Sequence, residues 1–437
     1  MAAKLSTQVY KGSRDFYPED MRLREWMFAR ISTVLESFGF EKIDSSLIEP
    51  IEVYLAKTSE EIVNQQIYSF IDRGDRKVAI RPEMTPTVAR MVSGRLRELT
   101  KPVRWYSIPN LWRYERPGKG RLREHWQLNA DILSARDEFL ADLEIIQLAA
   151  ELMFSFGANK NDFKIYISHR GILNNVLGNV LKLPANQWAN ISRIIDKIEK
   201  ISKDEFNSLL KNESFEDSQI NSLMNYLHTD LDFIQSQHDK IGESASYLLK
   251  LMQMLKELGL SDVVVYKPSI VRGFDYYTGV VFEVFDTHEE NRRSLFGGGR
   301  YNNLAGAFTN ETVNAAGFGM GDVTFTEFLT LHNLLPDLKR KTQIYIAGFG
   351  NENEIKNIFS LASRLREQGF IVELSSGDAK IKKQFEEANA KQIPVVLLQG
   401  EDELKLNAIQ IKLMESGEQI TVPLQHLESE LRTILNC

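Results

Sequence analysis

The rhythm of this chain changes three times along its length, and those changes limit the fold more than any single motif. Up to about residue 170, and again over 259–333, short strand-like runs of β-branched and aromatic residues interleave with amphipathic helices. They do so without a regular strand–helix–strand repeat. Between 171 and 258 the strands stop, and a helical pattern rich in Leu, Ile, Asn and Lys takes over. After the proline- and charge-bearing segment 334–342 the order is strand, helix, strand, helix, strand, at 343–347, 353–368, 370–374, 380–390 and 394–399. The fold class is therefore α+β: an antiparallel-sheet domain interrupted by a helical insertion, then a small α/β domain with a parallel sheet. The boundaries are 1–170, 171–258, 259–333, the linker 334–342, and 343–437.

Within the first domain, apolar residues at Met21, Trp26, Met27, Ile31, Val34 and Leu35 predict a helix over 21–38, with Gly39 as its stop. A helix over 85–92 has Thr85 as N-cap and Pro86 at its first position. A third helix spans 137–156. Strands are predicted at 40–43, 78–81, 163–168, 263–266 and 276–285, with a turn of the chain at 297–299.

Charge narrows the function. The net charge is −7, which argues against a protein that coats nucleic acid through a basic surface. Yet Arg113-Tyr-Glu-Arg-Pro-Gly-Lys-Gly-Arg-Leu-Arg-Glu-His-Trp-Gln127 sets five basic side chains around one Pro-Gly turn. Its flanks, 103–108 and 125–132, read as strands, so the stretch is a long hairpin loop whose arginine forks suit a polyanion held at one spot. The single cysteine, Cys437, excludes an internal disulfide and a Cys-based zinc site. The histidines show no metal-ligand spacing. No apolar run approaches the roughly 20 residues that span a bilayer, and the first residues lack an apolar export signal, so a cytoplasmic location is expected.

The basic hairpin resembles motif 2 of the class II aminoacyl-tRNA synthetases, in the form carried by histidyl-tRNA synthetases. Arg81-Pro-Glu-Met-Thr-Pro-Thr-Val-Ala-Arg90 matches the same family. Val271-Arg-Gly-Phe-Asp-Tyr-Tyr-Thr-Gly-Val-Val-Phe-Glu283 resembles its histidine signature, and Ala315-Ala-Gly-Phe-Gly-Met-Gly321 sits where motif 3 belongs. The resemblance runs from about Tyr10 to the C-terminus and is weakest over 171–258. It implies ATP-dependent ligation of L-histidine to tRNA(His) through a histidyl-adenylate, by a homodimer that uses ATP with Mg²⁺ and has no tightly bound protein metal site. The insertion would lie near the tRNA acceptor stem, a helical packing domain being the equal alternative, and the last domain would bind the anticodon.

The resemblance also distributes roles. It puts Arg113 on the α-phosphate and the carboxylate that attacks it, and Arg272 near the α-phosphate. An ion pair with Asp275 is the structural reading of Arg272. Glu115, Arg121, Gly319 and Gly321 are assigned to ATP, with Arg121 and Arg123 left undivided between the outer phosphates and the acceptor end. Glu83, Thr85, Gln127 and Asp131 match positions around the α-ammonium, and Tyr276, Tyr277 and Tyr301 match those around the imidazole ring. The glycines of Gly297-Gly-Gly-Arg-Tyr301 would allow close backbone approach.

Three departures stand out. Many relatives have Glu where this chain has Asp131. Thr324 occupies the place of the motif 3 arginine, and no arginine near it in sequence substitutes by alignment. Ser46, in Asp44-Ser-Ser46-Leu-Ile-Glu49, replaces the motif 1 proline at the expected dimer interface. The competing function is a synthetase-like regulatory subunit of ATP phosphoribosyltransferase in histidine biosynthesis, which typically lacks the C-terminal domain. Gly348-Phe-Gly350-Asn-Glu-Asn-Glu mimics a dinucleotide loop but lacks its third glycine, and Glu352 and Glu354 would repel a pyrophosphate.

Overall fold

The computed structural model describes the chain except residues 1–4, 56–64, 119, 272–275, 303–304, 349–351, 376–379 and 437, and the side chains of 239, 240, 353 and 401. The chain divides into two compact units, Met1–Leu335 and Pro336–Cys437. In chain order the strands of the first unit are β1 (Glu41–Lys42), β2 (Ile48–Pro50), β3 (Ser69–Ile71), β4 (Lys77–Ile80), β5 (Val103–Ser107) and β6 (Asn110–Trp112). They continue as β7 (Glu124–Leu133), β8 (Phe163–His169), β9 (Val264–Tyr266), β10 (Val280–Asp286), β11 (Ser294–Arg300) and β12 (Ala315–Gly321).

Among the described residues nine of these strands form one sheet, ordered β1-β5-β7-β12-β11-β10-β8-β9, with β6 paired to β7. Its middle is antiparallel, and one parallel pair closes each side, β1 with β5 and β8 with β9. A small antiparallel sheet, β2-β4-β3, stands apart. The residues 297–299 were expected to turn the chain; they lie inside β11, paired with β12 on one side. Their lack of side chains reads as a turn in sequence, but here it admits tight strand packing, since a Cβ on Gly298 would strike the backbone and side chain of Phe318. The strand expected at 276–285 starts only at Val280, because Tyr276 and Tyr277 precede it as a non-strand segment.

Two helices cover one face of the sheet. Helix Pro18–Ser37 buries Met27, Ile31, Val34 and Leu35. Gly39, at φ +76°, ends it: Gly39 N–H donates to Glu36 O and Phe40 N–H to Leu35 O, at 2.9 and 3.1 Å. Helix Glu138–Ser155 is held at its start by Asp137, whose carboxylate accepts from the Phe139 and Leu140 amides. It buries Ile145, Ile146, Leu148, Leu152 and Met153, each worth roughly 1.5–3 kcal/mol. The opposite face meets helix Thr85–Gly94 through Val88, Ala89 and Val92. Met84, not Thr85, is the N-cap of that helix; Thr85 is already helical.

Between β8 and β9 every described regular element is a helix, from Arg170–Asn175 to Glu243–Glu257. Their buried Leu177, Ile195, Leu210, Leu223 and Leu248 join the same apolar cluster as the sheet and its covering helices. The helices there bury one shared core, as amphipathic segments without a complete core of their own must.

The second unit contains β13 (Ile344–Ala347), β14 (Val372–Leu374), β15 (Val395–Leu398), β16 (Ala408–Leu413) and β17 (Gln419–Pro423), ordered β14-β13-β15-β16-β17. The expected parallel sheet accounts for β13, β14 and β15 only; β16 and β17 add antiparallel strands to one side. The Gly417 turn, at φ +76°, joins them into a hairpin. Part of the dinucleotide-like loop at 348–354 lies outside the described residues. No described helix is long and apolar enough to cross a membrane.

Candidate active site

Strand β7 sends Gln127, Asn129 and Asp131 to one face of the sheet, because side chains two residues apart point the same way. Leu128, Ala130 and Ile132, between them, enter the core. On the neighbouring strand, β12, Gly321 pairs with Gln127, Gly319 with Asn129 and Gly317 with Asp131. A Cβ on Gly319 would stand 2.9 Å from the Gln127 amide nitrogen, and one on Gly317 would collide with the Asp131 carboxylate. A row of glycines thus leaves room beside a row of polar side chains.

That room is a cavity of about 390 Å³. Glu83, Thr85, Arg113, Tyr276, Tyr277 and Tyr301 complete its lining together with Gln127, Asn129 and Asp131. All seven residues assigned to histidine by resemblance therefore come together here. Asn129 was not among them, although its place midway between Gln127 and Asp131 in a strand of period two would have found it.

The cavity carries both signs of charge. Glu83 and Asp131 are buried at 3% and 4% exposure, so two carboxyl groups face it in a poorly hydrated setting. Tyr301 donates its hydroxyl hydrogen to Asp131 Oδ1. Burial still pushes the Asp131 carboxyl up to about 7, with the Tyr301 bond pulling the other way. The rings of Tyr276, Tyr277 and Tyr301 cluster at centroid separations of 4.8 to 6.5 Å. Arg300, the residue before Tyr301, is buried against Asp142 at 2.8 Å and so ties β11 to helix Glu138–Ser155. Tyr247 donates to the same Asp142 carboxylate.

Arg113 lines the same cavity. Its Nε donates to the Pro82 carbonyl at 2.9 Å, which aims the guanidinium. Arg113, Gln127 and Gly319 also line a second cavity of about 850 Å³, so the two spaces meet at this arginine. Glu115, Arg121 and Gly321, the remaining residues assigned to ATP, line the second cavity as well. Glu115 lies 3.9 Å from both Arg113 and Arg121. His125 lines it too; removal from water, with Arg113 and Arg14 nearby, pushes its pKa down to about 3, so the ring is neutral.

The structure separates Arg121 from Arg123. Arg121 is 74% exposed at the cavity, whereas Arg123 stacks on the Tyr114 ring at 4.0 Å and donates to Tyr10 and to the Glu115 carbonyl. Arg123 is thus a packing residue of the hairpin. Arg272 and Asp275, and with them the two readings of Arg272, lie outside the described residues. Thr324 lines the second cavity, and its hydroxyl donates to the Leu295 carbonyl at 2.9 Å. Next to it, Asp322 accepts from Arg14 at 2.6 Å and from the Trp126 amide at 2.9 Å, pinning helix Asp322–Leu331 to β7.

Comparison with known proteins identifies the family. The profile described as Histidyl-tRNA synthetase matches residues 12–322, and one described as Anticodon binding domain matches 343–434. The histidine–tRNA ligase of Leptospira biflexa serovar Patoc is 48% identical over 98% of this chain and 99% of its own. The crystal structure of histidyl-tRNA synthetase from Nostoc sp. PCC 7120 superposes with a TM-score of 0.81 at 24% identity, covering 98% of this chain and 100% of that one. A Bacillus halodurans protein described as an ATP phosphoribosyltransferase regulatory subunit/histidyl-tRNA synthetase gives 0.72 at 24% identity, over 88% of this chain and 97% of its own. These two structures speak for the fold; the sequence matches speak for the family. The chain belongs to the histidyl-tRNA synthetase family.

Proposed function

We propose that this chain ligates L-histidine to tRNA(His), using ATP and passing through a histidyl-adenylate. The observation that carries the reading is the pair of cavities that meet at Arg113. An amino acid needs acidic partners for its ammonium and a basic partner for its carboxylate, and Glu83, Asp131 and Arg113 line one cavity that offers both. The tyrosine cluster and the polar row of β7 surround the space left for the side chain. A pocket built on buried polar groups rejects ligands that leave them unpaired, by roughly 10⁴-fold or more.

The carboxylate then lies beside Arg113, and the α-phosphate of ATP lies across it in the second cavity. A carboxylate oxygen forms a bond to the α-phosphorus while the bond to the bridging oxygen breaks, and pyrophosphate leaves. The protein's part is to align the two anions and offset the charge that gathers on phosphorus, which Arg113 does from a fixed position. By resemblance, Arg272 shares that phosphate. Mg²⁺ travels with ATP as part of the substrate, held mainly by phosphate oxygens. In the second step a terminal ribose hydroxyl of the tRNA attacks the activated carbonyl carbon and AMP leaves. The second unit is assigned to the anticodon.

The active form is proposed to be a homodimer in the cytoplasm. Leu47, Ile48, Phe70 and Ile71 are 40–69% exposed on or beside the β2-β4-β3 sheet, an apolar face suited to a second copy. Ser46 donates to the Ile48 carbonyl at 2.7 Å and so holds the turn where motif 1 has proline. A single cysteine suits a reducing compartment. The regulatory alternative is disfavoured by the matched anticodon-binding segment and the full-length likeness to ligases.

The test is ATP–pyrophosphate exchange with each of the twenty amino acids in turn, followed by charging of tRNA(His). Exchange with histidine alone is expected. A folded protein that exchanges with none of them would move the reading to the regulatory subunit.

A further inference from the structure

The nucleotide cavity has a basic inner end, Arg113, but its outer end opens into a further cavity of about 1310 Å³, with Gly120, Arg121, Ser294 and Thr324 lining both. A triphosphate reaching from Arg113 towards that opening places its outer, more highly charged phosphates there. Thr324 brings no charge, and its hydroxyl is taken up by backbone carbonyls. Another residue reaches the same spot. A Cβ built on Gly120 would stand 2.5 Å from Arg293 Nη1 and 3.3 Å from Thr324 Cγ2. Arg293 Nη1 thus lies close to the hairpin backbone beside Thr324, delivered from the turn between β10 and β11.

We propose that Arg293 binds the outer phosphates of ATP across Gly120 and Thr324, supplying from a neighbouring turn the positive charge that the side chain at 324 lacks. Three features of the site support it. Arg293 is half-buried, which strengthens a charge-assisted bond to phosphate. Gly120, at φ +70°, has no side chain to hold the guanidinium off the cavity mouth. The adjoining wall sets Lys200 and Arg292 beside the acids Asp196, Glu199 and Glu283, with Asp196 paired to Lys200 and Glu199 to Lys267. Arg121 joins Arg293 from the hairpin side, so the outer phosphates meet two guanidinium groups from two separate elements.

This inference rests on the ligase reading, and the experiment keeps the two apart. ATP binding to the full-length protein is measured by calorimetry, beside exchange kinetics with histidine, for the wild type and for Arg293→Ala, Arg293→Lys and Arg293→Ala/Thr324→Arg. The expected result is about a ten- to hundredfold loss of ATP affinity in Arg293→Ala, the size of a lost charge-assisted bond. The KM for histidine should hold, Arg293→Lys should keep part of the affinity, and arginine at 324 should restore it. Thermal melting separates a folding defect from a binding defect.

ATP bound equally well by wild type and Arg293→Ala would overturn the proposal and leave the ligase reading standing. A loss in Arg293→Ala that raises both KM values together, and that arginine at 324 does not repair, would also overturn it, reducing Arg293 to support for its turn. A wild type that binds no ATP would sink the ligase reading and this one with it.

Discussion

The two cavities that meet at Arg113 are made in different ways. The amino-acid cavity is a product of strand pairing: β7 and β12 in register, polar side chains on one and glycines on the other. The nucleotide cavity draws on the same strands, with His125 and Gln127 of β7, the start of β11 and Gly319 and Gly321 of β12 in its lining, but adds the hairpin after β6 and the start of helix Asp322–Leu331. Strands hold a side chain to within a small range of positions, whereas turns tolerate exchange of one residue for another. The contrast teaches where substitution is cheap. Charge can migrate from position 324 to Arg293 at the edge of the nucleotide cavity, but the polar row of β7 has no such freedom.

The sharpest way to test that contrast is at the junction. Arg113→Ala removes the group that faces both anions, and exchange should fall on the order of 10²–10³-fold, as for other fixed oxyanion partners. Arg113→Lys should recover little, because a point charge cannot replace a planar fork held by Pro82. Substantial activity in either variant would mean that the two cavities do not communicate through this residue.

Support beneath the amino-acid cavity comes next. Asp142→Ala leaves the Arg300 guanidinium buried without its closest carboxylate and should cost about 3–5 kcal/mol of stability. All five tryptophans precede the second unit, so fluorescence during urea unfolding reports on the first unit alone. Replacing both partners with apolar residues should recover much of the loss. In the surviving folded fraction the KM for histidine should rise while ATP binding holds, since Arg300 positions Tyr301 and not the nucleotide.

Two glycines of one strand give a finer comparison. Gly317→Ala drives a methyl group into Asp131 and the Ala130 carbonyl, and a roughly ten- to hundredfold rise in KM for histidine is expected from overpacking. Gly321→Ala meets only the Thr324 hydroxyl at 3.9 Å, and its effect should stay within about twofold. Equal effects would mean that the close approach of Gly317 to Asp131 does not govern histidine binding.

The same distinction explains what could be read before the structure. Gln127 and Asp131 were legible through the resemblance of this segment to the family motif, whereas the helix over 21–38 with its Gly39 stop followed from local rules. The glycines of 297–299 misled, because absence of a side chain serves a turn and a close strand pair alike. The strands β16 and β17 escaped notice: Ala408–Leu413 and Gln419–Pro423 are short and half-exposed, and their pairing is decided by contacts across the sheet. Arg293 was illegible for a different reason. Its neighbours Gly120 and Thr324 lie far away in sequence, and only the folded β11–β12 edge brings the three together.

The last test turns on Asp131 and on pH. Its pKa is 3.8 for the unperturbed group and about 7 here, raised by burial. Below about 4 both folded and unfolded chains hold the proton and burial costs nothing. Through the window from about 4 to 7 the unfolded chain loses it first, so stability falls as pH rises, by roughly 4 kcal/mol once above 7. Histidine binding works against that penalty, because its ammonium favours the ionised carboxyl. Affinity for histidine should therefore drop about tenfold per unit as pH falls below 7, and stay level above it. The imidazole of the ligand titrates in the same range, so the control is Asp131→Asn, in which only the ligand's own titration remains. The difference between the two profiles isolates Asp131. A wild-type profile that parallels the Asn variant would place the ammonium on Glu83 alone and leave Asp131 as a hydrogen-bond acceptor for Tyr301.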